Sequence, residues 1–270
     1  MPVREALDSA VVALTAAGVD SPRLDAEVML AHVLGVGRAT LVLERDRPVE
    51  GPAVQAFQSA VRRRAVGREP VAYITGEKGF RHLDLRVDAR VLIPRPETEH
   101  LVEAALDLPA GARVADVGTG SGAVALALKD ERPDLCVVGT DSSADALTVA
   151  RANAARLGLD VAFVLGDLLE GAGDVDAVVS NPPYVEEGAA LAPEITRHEP
   201  PAALYAGADG LTVIRRLAAA AGATRARFLA IEVGAGQAGA VADVMRREGF
   251  ADVGVTADLA GIDRIVVGRR

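Results

Sequence analysis

The sequence predicts an α/β protein in which a mostly parallel, helix-flanked sheet follows a small all-helical domain. Three observations predict it. Up to residue 70, apolar residues recur at helical spacing and no strand-like run intervenes. From Arg113 onward, short apolar runs alternate with helical stretches, the pattern of β-α-β units. Glycines, carboxylates or an Asn-Pro-Pro-Tyr run follow the ends of those apolar runs. Carboxyl ends of strands are where an open α/β sheet binds its ligands.

A chain of 270 residues suggests two domains or one large one. Hydrophobic residues make up 50% but aromatics only 3%, with no Trp, so Ala, Val and Leu must fill the core. The single cysteine, Cys136, lies in Leu135-Cys136-Val137-Val138 and reads as a small buried strand residue. No disulfide framework is possible within one chain, and no Cys/His cluster has metal spacing, so no metal is expected. No signal peptide and no bilayer-length apolar run is found, which predicts a cytoplasmic protein without a membrane partner. Net charge is −9, and charges balance within residues 1–75, so the acidic excess falls on the remainder. Such a surface is a poor match for a polyphosphate, and direct contact with nucleic acid is not expected. Arg62-Arg63-Arg64 reads as a solvated helix face.

In order, a helical stripe covers residues 3–16. Ser21-Pro22 starts a second helix, with Ser21 as N-cap, that runs to Val33 and stops near Gly35 or Gly37. A short helix covers Ala39–Glu44, and Pro52 opens another that ends at Gly67. Val71–Gly76 and Phe80–Val91 read as an extended hairpin joining two domains. The expected organisation is a helical bundle over 1–75, a β-hairpin linker over 76–94 and the α/β domain over 95–270. Within the segment from Leu92 to Glu99, Arg95 sits between two prolines, and Thr98 or Glu97 could start the next helix. Strands are expected at Arg113–Val117, Leu135–Thr140, Val161–Leu165, Asp176–Ser180 and Arg227–Val233. Helices are expected from Ala123 and over Ala144–Leu157, Gly210–Ala221 and Gln237–Glu248. Arg197–Pro201 reads as a polar loop, and Val253–Ala257 with Ile262–Val267 as a closing antiparallel pair.

Two stretches carry chemistry. After Asp176–Ser180, the prolines of Asn181-Pro182-Pro183-Tyr184 cannot continue a central strand. The Asn181 side-chain carbonyl and the Pro182 main-chain carbonyl are acceptors, and Tyr184 is a flat wall. Together they suit a planar –NH2 group, whose lone pair they can localise and aim at an electrophile. The other stretch is Gly118-Thr119-Gly120-Ser121-Gly122, whose glycines let the backbone approach a ligand. It fits either a dinucleotide fold or a nucleoside-binding methyltransferase fold. Asp116, just before the turn, is unwelcome beside a pyrophosphate and suits a cationic amino-acid moiety. Asp141, about 20 residues past the glycines, can hold ribose hydroxyls. S-adenosylmethionine offers both groups, with an adenine for Asp167-Leu168.

The chain resembles the HemK/PrmC glutamine methyltransferases, which methylate the glutamine amide of the Gly-Gly-Gln motif in peptide chain release factors. Leu24–Glu27, Glu69–Gly76, Ile93–Glu99, Asp116–Gly122, Asp141 and Asn181–Tyr184 carry the likeness. Further matches are His198–Pro200, Gly207–Leu211, Glu232–Gly234 with Gln237, Asp258–Gly261, and Asp263-Arg264. The run Pro94-Arg95-Pro96-Glu97-Thr98-Glu99 is its most specific part. The resemblance implies a class I, Rossmann-like methyltransferase with a seven-stranded, mostly parallel sheet. It implies that Gly118 to Gly122 cradle S-adenosylmethionine, with Asp116, Asp141, Asp167, Leu168 and Asn181 beside it. Asn181, Pro182, Pro183 and Tyr184 would bind the target amide, with Arg95 and Glu97 at the substrate. The helical domain would help dock the release factor onto an enzyme expected to be a monomer. Ser142 departs from the family pattern, where an apolar residue is common, and Leu168 stands where an aromatic sometimes sits. The competing readings are a methyltransferase acting on an exocyclic base amine of DNA or RNA, a cofactor sensor without catalysis, and a nicotinamide dehydrogenase.

Overall fold

The computed structural model describes all 270 residues. Two compact units divide it: Met1–Glu77 with Leu191–His198, and Lys78–Ala190 with Glu199–Arg270.

The first unit is helical: α1 (Val3–Ala16), α2 (Pro22–Leu34), α3 (Arg38–Leu43), α4 (Pro52–Gly67), α5 (Val71–Thr75) and a late short helix, Pro193–His198. Helix α1 buries Val3, Ala6, Leu7, Ala10 and Leu14, one stripe of a 3.6-residue period. These pack with Met29, Leu30 and Phe57 in the unit's core. Gly35 ends α2 in the left-handed conformation. Ser21 precedes α2 but does not cap it; its hydroxyl donates to Asp25 Oδ1 at 2.8 Å. The three arginines of α4 are not one solvated face. Arg62 is exposed and Arg63 pairs with Glu69, but Arg64 is buried against Asp25 at 2.7 Å and Glu194 at 3.0 Å. A guanidinium tolerates burial only when paired in this way. Val71–Thr75, expected to be extended, is helical. The Pro70 carbonyl accepts from the N–H groups of Tyr73 and Ile74, and Gly76, at φ 75°, ends the turn. Arg197 and His198, expected in a loop, end the Pro193–His198 helix.

At the start of the second unit β1 (Glu77–Phe80), whose first residue closes the first unit, and β2 (Leu83–Arg86) form the hairpin. A 3-10 turn, Pro96–Thr98, then leads into α6 (Glu99–Ala105). The main elements follow: β3 (Arg113–Val117), α7 (Ala123–Glu131), β4 (Cys136–Asp141), α8 (Ala144–Leu157), β5 (Ala162–Leu165) and β6 (Ala177–Ser180). After the Pro193–His198 helix, α9 in chain order, come α10 (Thr212–Gly222), β7 (Phe228–Glu232), α11 (Ala238–Arg247), β8 (Asp252–Ala257) and β9 (Asp263–Arg269). The seven strands of the sheet run β5-β4-β3-β6-β7-β9-β8. Strands β3 to β7 are parallel, while β9 lies antiparallel between β7 and β8. Separate apolar clusters line the two faces, around Leu126 and Leu128 on one and Ile214 and Met245 on the other. That explains why the parallel strands read as continuous apolar runs rather than alternating ones. Cys136 is exposed, not buried; it opens β4 before the strand enters the core.

From β3 the chain winds outward to β4 and β5, then returns to β6 on the other side of β3 and moves on to β7. The β3/β6 boundary is therefore the switch point at which such sheets bind ligands. Register brings the strand ends level, with Val117 opposite both Thr140 and Ser180. Gly118, Asp141 and Asn181 consequently emerge side by side. No helix is long and apolar enough to cross a membrane.

Candidate active site

A cavity of about 280 Å³ opens at these strand ends. Its walls include Gly118 and Gly120 after β3, Asp141 and Ser142 after β4, Asp167 and Leu168 after β5, and Asn181, Pro182 and Pro183 after β6. A larger cleft of about 690 Å³ lies by Leu108–Ala112 and Arg227, at the opposite ends of the strands. There Arg225 is held by Asp174 and Asp176, and Arg269 lies over Phe228, so those cations are already engaged.

The glycine loop is shaped from below. Gly118 and Gly120 take φ of 71° and 56°, values only glycine adopts without strain. The N–H groups of Gly118 and Thr119 both donate to the Thr140 carbonyl at 2.9 Å. Asp116 is buried beneath the loop and is absent from the cavity wall. Its Oδ2 accepts from the Thr119 hydroxyl at 2.6 Å and from the Ala125 N–H at 3.1 Å. Burial pushes its carboxyl up to about 6, with those two hydrogen bonds opposing and nearby Asp141 adding. It braces the loop and the start of α7. Thr119, Ser121 and Gly122 are likewise buried, so of the five loop residues only Gly118 and Gly120 reach the cavity.

Asp141 takes one backbone N–H on each oxygen, Gly120 on Oδ2 and Ser143 on Oδ1, both at 2.9 Å. A carboxylate has about four acceptor sites, so two remain for hydroxyl groups of a ligand. Asp167 is exposed and paired with Arg216. Leu168 holds φ 53°, and its carbonyl accepts from the Thr140 hydroxyl at 2.6 Å. A branched side chain held in the left-handed region marks a conformation imposed by its surroundings.

Asn181 donates through Nδ2 to the Thr98 hydroxyl at 3.0 Å, and Oδ1 has no partner within the protein. The amide oxygen is thus the end available to a ligand. Tyr184 does not line the cavity. Its hydroxyl donates to Glu232 Oε1 at 3.3 Å, and its carbonyl accepts from Gln237 Nε2 at 3.0 Å. Gln237 Oε1 accepts the Gly234 N–H at 2.9 Å, so that side chain clasps the loop to the end of β7. Burial and the Glu232 carboxylate raise the Tyr184 phenol well above its usual range, so it stays protonated. Arg95 and Glu97 also stay off the cavity wall. Arg95 binds Glu199 Oε1 at 2.5 Å, and Glu199 Oε2 accepts the Ile93 N–H at 3.2 Å. The buried Glu199 therefore braces the proline segment.

Thr98, Glu232, Glu199 and the lining residue Arg216 were not among the expected site residues. Three of them lie inside motifs that the resemblance rests on, which was the available signal. Thr98 starts no helix with its side chain, because its hydroxyl serves Asn181.

The chain matches the PrmC N-terminal domain over residues 5–76 and the methyltransferase small domain over residues 96–239. A release factor glutamine methyltransferase of Xylella fastidiosa is 44% identical over 275 residues, covering 97% of this chain and 98% of its own. The enzyme of that name from Deinococcus radiodurans is 43% identical over 278 residues, covering 100% and 99%. Among solved structures, a methyltransferase from Pyrococcus furiosus shares the fold, with a TM-score of 0.52 at 16% identity over 69% of this chain and 88% of that one. With a class I methyltransferase sheet, an Asn-Pro-Pro-Tyr loop at its switch point and near full-length relatives of one kind, this chain belongs to the release factor glutamine methyltransferase family.

Proposed function

We propose that this enzyme transfers a methyl group from S-adenosylmethionine to the side-chain nitrogen of glutamine in the Gly-Gly-Gln motif of peptide chain release factors. The donor set fits such a cofactor. Asp141 keeps acceptor capacity for ribose hydroxyls, Gly118 and Gly120 allow close backbone approach, and Asp167 with Leu168 offers an acceptor and an apolar wall to an adenine. Asp116 acts through the loop it braces. When bound, S-adenosylmethionine supplies a methyl group made electrophilic by its sulfonium.

The observation that carries the reading is the presentation of Asn181. Its Nδ2 is tied back to Thr98, its Oδ1 is left without a protein partner, and Asn181 and Pro182 both line the cavity. An amide nitrogen is a weak nucleophile because its lone pair is delocalised into the carbonyl. Two acceptors holding its two N–H bonds favour a geometry in which that lone pair is localised and directed. Asn181 Oδ1 and the Pro182 carbonyl supply them, so orientation and electrostatics replace a strong base. The nitrogen becomes acidic as it gains the methyl, and its surplus proton is lost to solvent, since the two neutral carbonyls orient the amide but cannot keep a proton. Pro182 and Pro183 hold the loop rigid and keep competing N–H donors away from the reacting amide.

The helical domain, residues 1–75, is assigned to docking of the release factor, residues 76–94 to the link, and residues 95–270 to catalysis. The deciding assay uses S-adenosylmethionine and unmodified release factor, read by peptide mass. One added methyl on the Gly-Gly-Gln peptide is expected. Asn181→Ala should lower turnover by about two to three orders of magnitude with cofactor affinity little changed. Equal losses in both would make Asn181 a scaffold residue, and label appearing on DNA or RNA instead would move the substrate to a base amine.

A further inference from the structure

Asn153, in α8, takes no part in the proposed reaction, yet it is 0% exposed and its three hydrogen bonds are all to backbone groups. Its Oδ1 accepts the Arg86 N–H at 2.8 Å, and its Nδ2 donates to the carbonyls of Arg86 and Ser121, each at 3.0 Å. Ala150 and Ala154, which flank it on α8, belong to an apolar core cluster. Burying an amide there is costly unless it is paired. One partner demands an acceptor and two demand donors, so the amide has one orientation and both its N–H bonds are used.

Two backbone segments therefore depend on one side chain. One is the glycine turn. Helix α7 begins at Ala123, and its N-cap, Gly122, has no side chain to take the free N–H groups of the first turn. The Ala125 N–H goes to Asp116 Oδ2 at 3.1 Å. Were the helix one residue longer at this end, the same N–H would bond the Ser121 carbonyl, four residues back. That carbonyl is buried and holds Asn153 instead. Asp116 and Asn153 thus occupy both halves of the bond that would let α7 grow into the turn, where Gly118 and Gly120 line the cavity. The other segment is the outgoing arm of the hairpin. The Asn153 amide meets both polar groups of Arg86, which ends β2, as a neighbouring strand would. Just beyond, Arg90, Val91 and Leu92 line the same cavity.

We propose that Asn153 is a positioning residue for cofactor binding, holding the glycine turn and the arm Arg90–Leu92, two walls of one cavity, at a fixed separation. This deepens the reading of the cavity as an S-adenosylmethionine site and rests on it. Thr140 and Asp141 tie the turn to the end of β4, and Asn153 ties it to the arm. Without the amide, the Ser121 carbonyl is free to capture the Ala125 N–H, the helix lengthens into the turn and the arm loses this anchor. Cofactor affinity then falls. The Asn181 loop shares no hydrogen bond with Asn153 and keeps its geometry, so turnover at saturating cofactor is spared.

Calorimetry with S-adenosylhomocysteine, the demethylated cofactor, tests this on wild type, Asn153→Leu, Asn153→Asp, Asp116→Ala and the double variant of Asp116→Ala with Asn153→Leu. Denaturant unfolding and kcat at saturating cofactor run alongside. Asn153→Leu keeps the volume and removes the amide. We expect its Kd to rise about ten-fold or more, with kcat within about three-fold of wild type. Asn153→Asp sets a carboxylate against two carbonyls and should bind more weakly still. Loss of both side chains lets the Ala125 N–H and the Ser121 carbonyl pair with each other. The Kd increase of the double variant should therefore fall short of the product of the two single increases by about three-fold or more. Single effects that multiply, or stability lost at wild-type Kd, would overturn the role of Asn153. Where Asn153→Leu does not fold, Asn153→Ser takes its place with the same expectations.

Amide hydrogen exchange of the wild-type protein checks the coupling of the two walls without any substitution. S-adenosylhomocysteine should slow exchange over residues 86–92 together with residues 118–125. Slowing over 118–125 alone would overturn the coupling. Wild-type protein that binds neither S-adenosylmethionine nor S-adenosylhomocysteine would overturn the reading of the cavity and the role of Asn153 with it. Wild-type binding with indifferent variants would overturn the role of Asn153 only.

Discussion

Glu232 sits where a carboxylate is expensive. Its neighbours satisfy one oxygen and leave the other buried and bare. A residue kept at that cost works against the fold, and the sign can be stated. Its folded-state carboxyl binds a proton more tightly than the ordinary side chain does, at about 7 against 4.5. The destabilisation is absent below the unfolded value, grows as pH rises between the two and is complete above about 7. At one pKa unit per 1.4 kcal/mol it is worth about 3 kcal/mol at most. Glu232→Gln should therefore stabilise the protein, more at pH 8 than at pH 5. Denaturant unfolding of both forms at the two pH values reads this directly, and equal differences at both would mean that the carboxyl is not held high. Asp116, up to about 6, adds a change of the same sign over a lower pH range. Neither effect is visible in the sequence. Asn181 meets Thr98, and Tyr184 meets Glu232, from distant stretches of the chain, and periodicity carries no record of which side chains meet. What the sequence does carry is the residue type at the strand ends. Asn181, Asp141 and Gly118 were legible because strand ends in this architecture converge on one crevice.

At the scale of elements, the glycine turn and its neighbouring strand are one unit. Gly139 in β4 faces both Phe163 of β5 and the Thr119 hydroxyl, the group that binds Asp116. A Cβ there would lie 2.7 Å from the Phe163 ring and 2.8 Å from Thr119 Oγ1. Gly139→Ala must displace both or shift the strand itself. It should cost about 1–3 kcal/mol of stability and weaken cofactor binding through the loop, measured by denaturant unfolding and calorimetry. Loss of stability with intact cofactor affinity would mean that the shift of Thr119 does not reach the cofactor site. The β-α alternation around this unit was readable because each strand is covered on both faces and so forms an apolar run. Val71–Thr75 misled for the opposite reason. Five residues rich in β-branched and aromatic side chains look like a strand, but so short a run has no period of its own. Pro70 and Gly76 decide it, by opening and closing a single helical segment. Arg64 was hidden by its neighbours. A charge run reads as solvated until its partners are known, and Asp25 and Glu194 lie 39 and 130 residues away.

For the molecule as a whole, recognition of a protein substrate and transfer to one amide are separable tasks, and the proposed function assigns one to each of the two compact units. In the proposed reaction the crevice at the β3/β6 switch point supplies the chemistry, and Asn181 contacts only the amide of its substrate. Selecting a release factor requires surface elsewhere. The helical unit exposes Val42 at 63% and Leu43 at 84%, adjacent on α3, and Val66 at 74% on α4. Apolar side chains so exposed contribute little to their own unit's core, and substitutions there usually change stability by less than about 0.5 kcal/mol. Leu43→Asp and Val66→Asp, made separately, should leave cofactor affinity and turnover of a short Gly-Gly-Gln peptide near wild type. If these side chains meet the release factor, KM for the intact protein should rise several-fold, because a carboxylate would be buried unpaired at that contact. Running peptide and whole protein side by side separates the possibilities. A rise confined to the whole protein places docking on the helical unit. A parallel rise for both would mean that the substitution reaches the crevice, and no rise for either would move docking to another surface. The acidic excess of the α/β part adds an electrostatic check. If release factor approaches through a basic surface, its KM should increase with ionic strength, while that of an uncharged peptide should not.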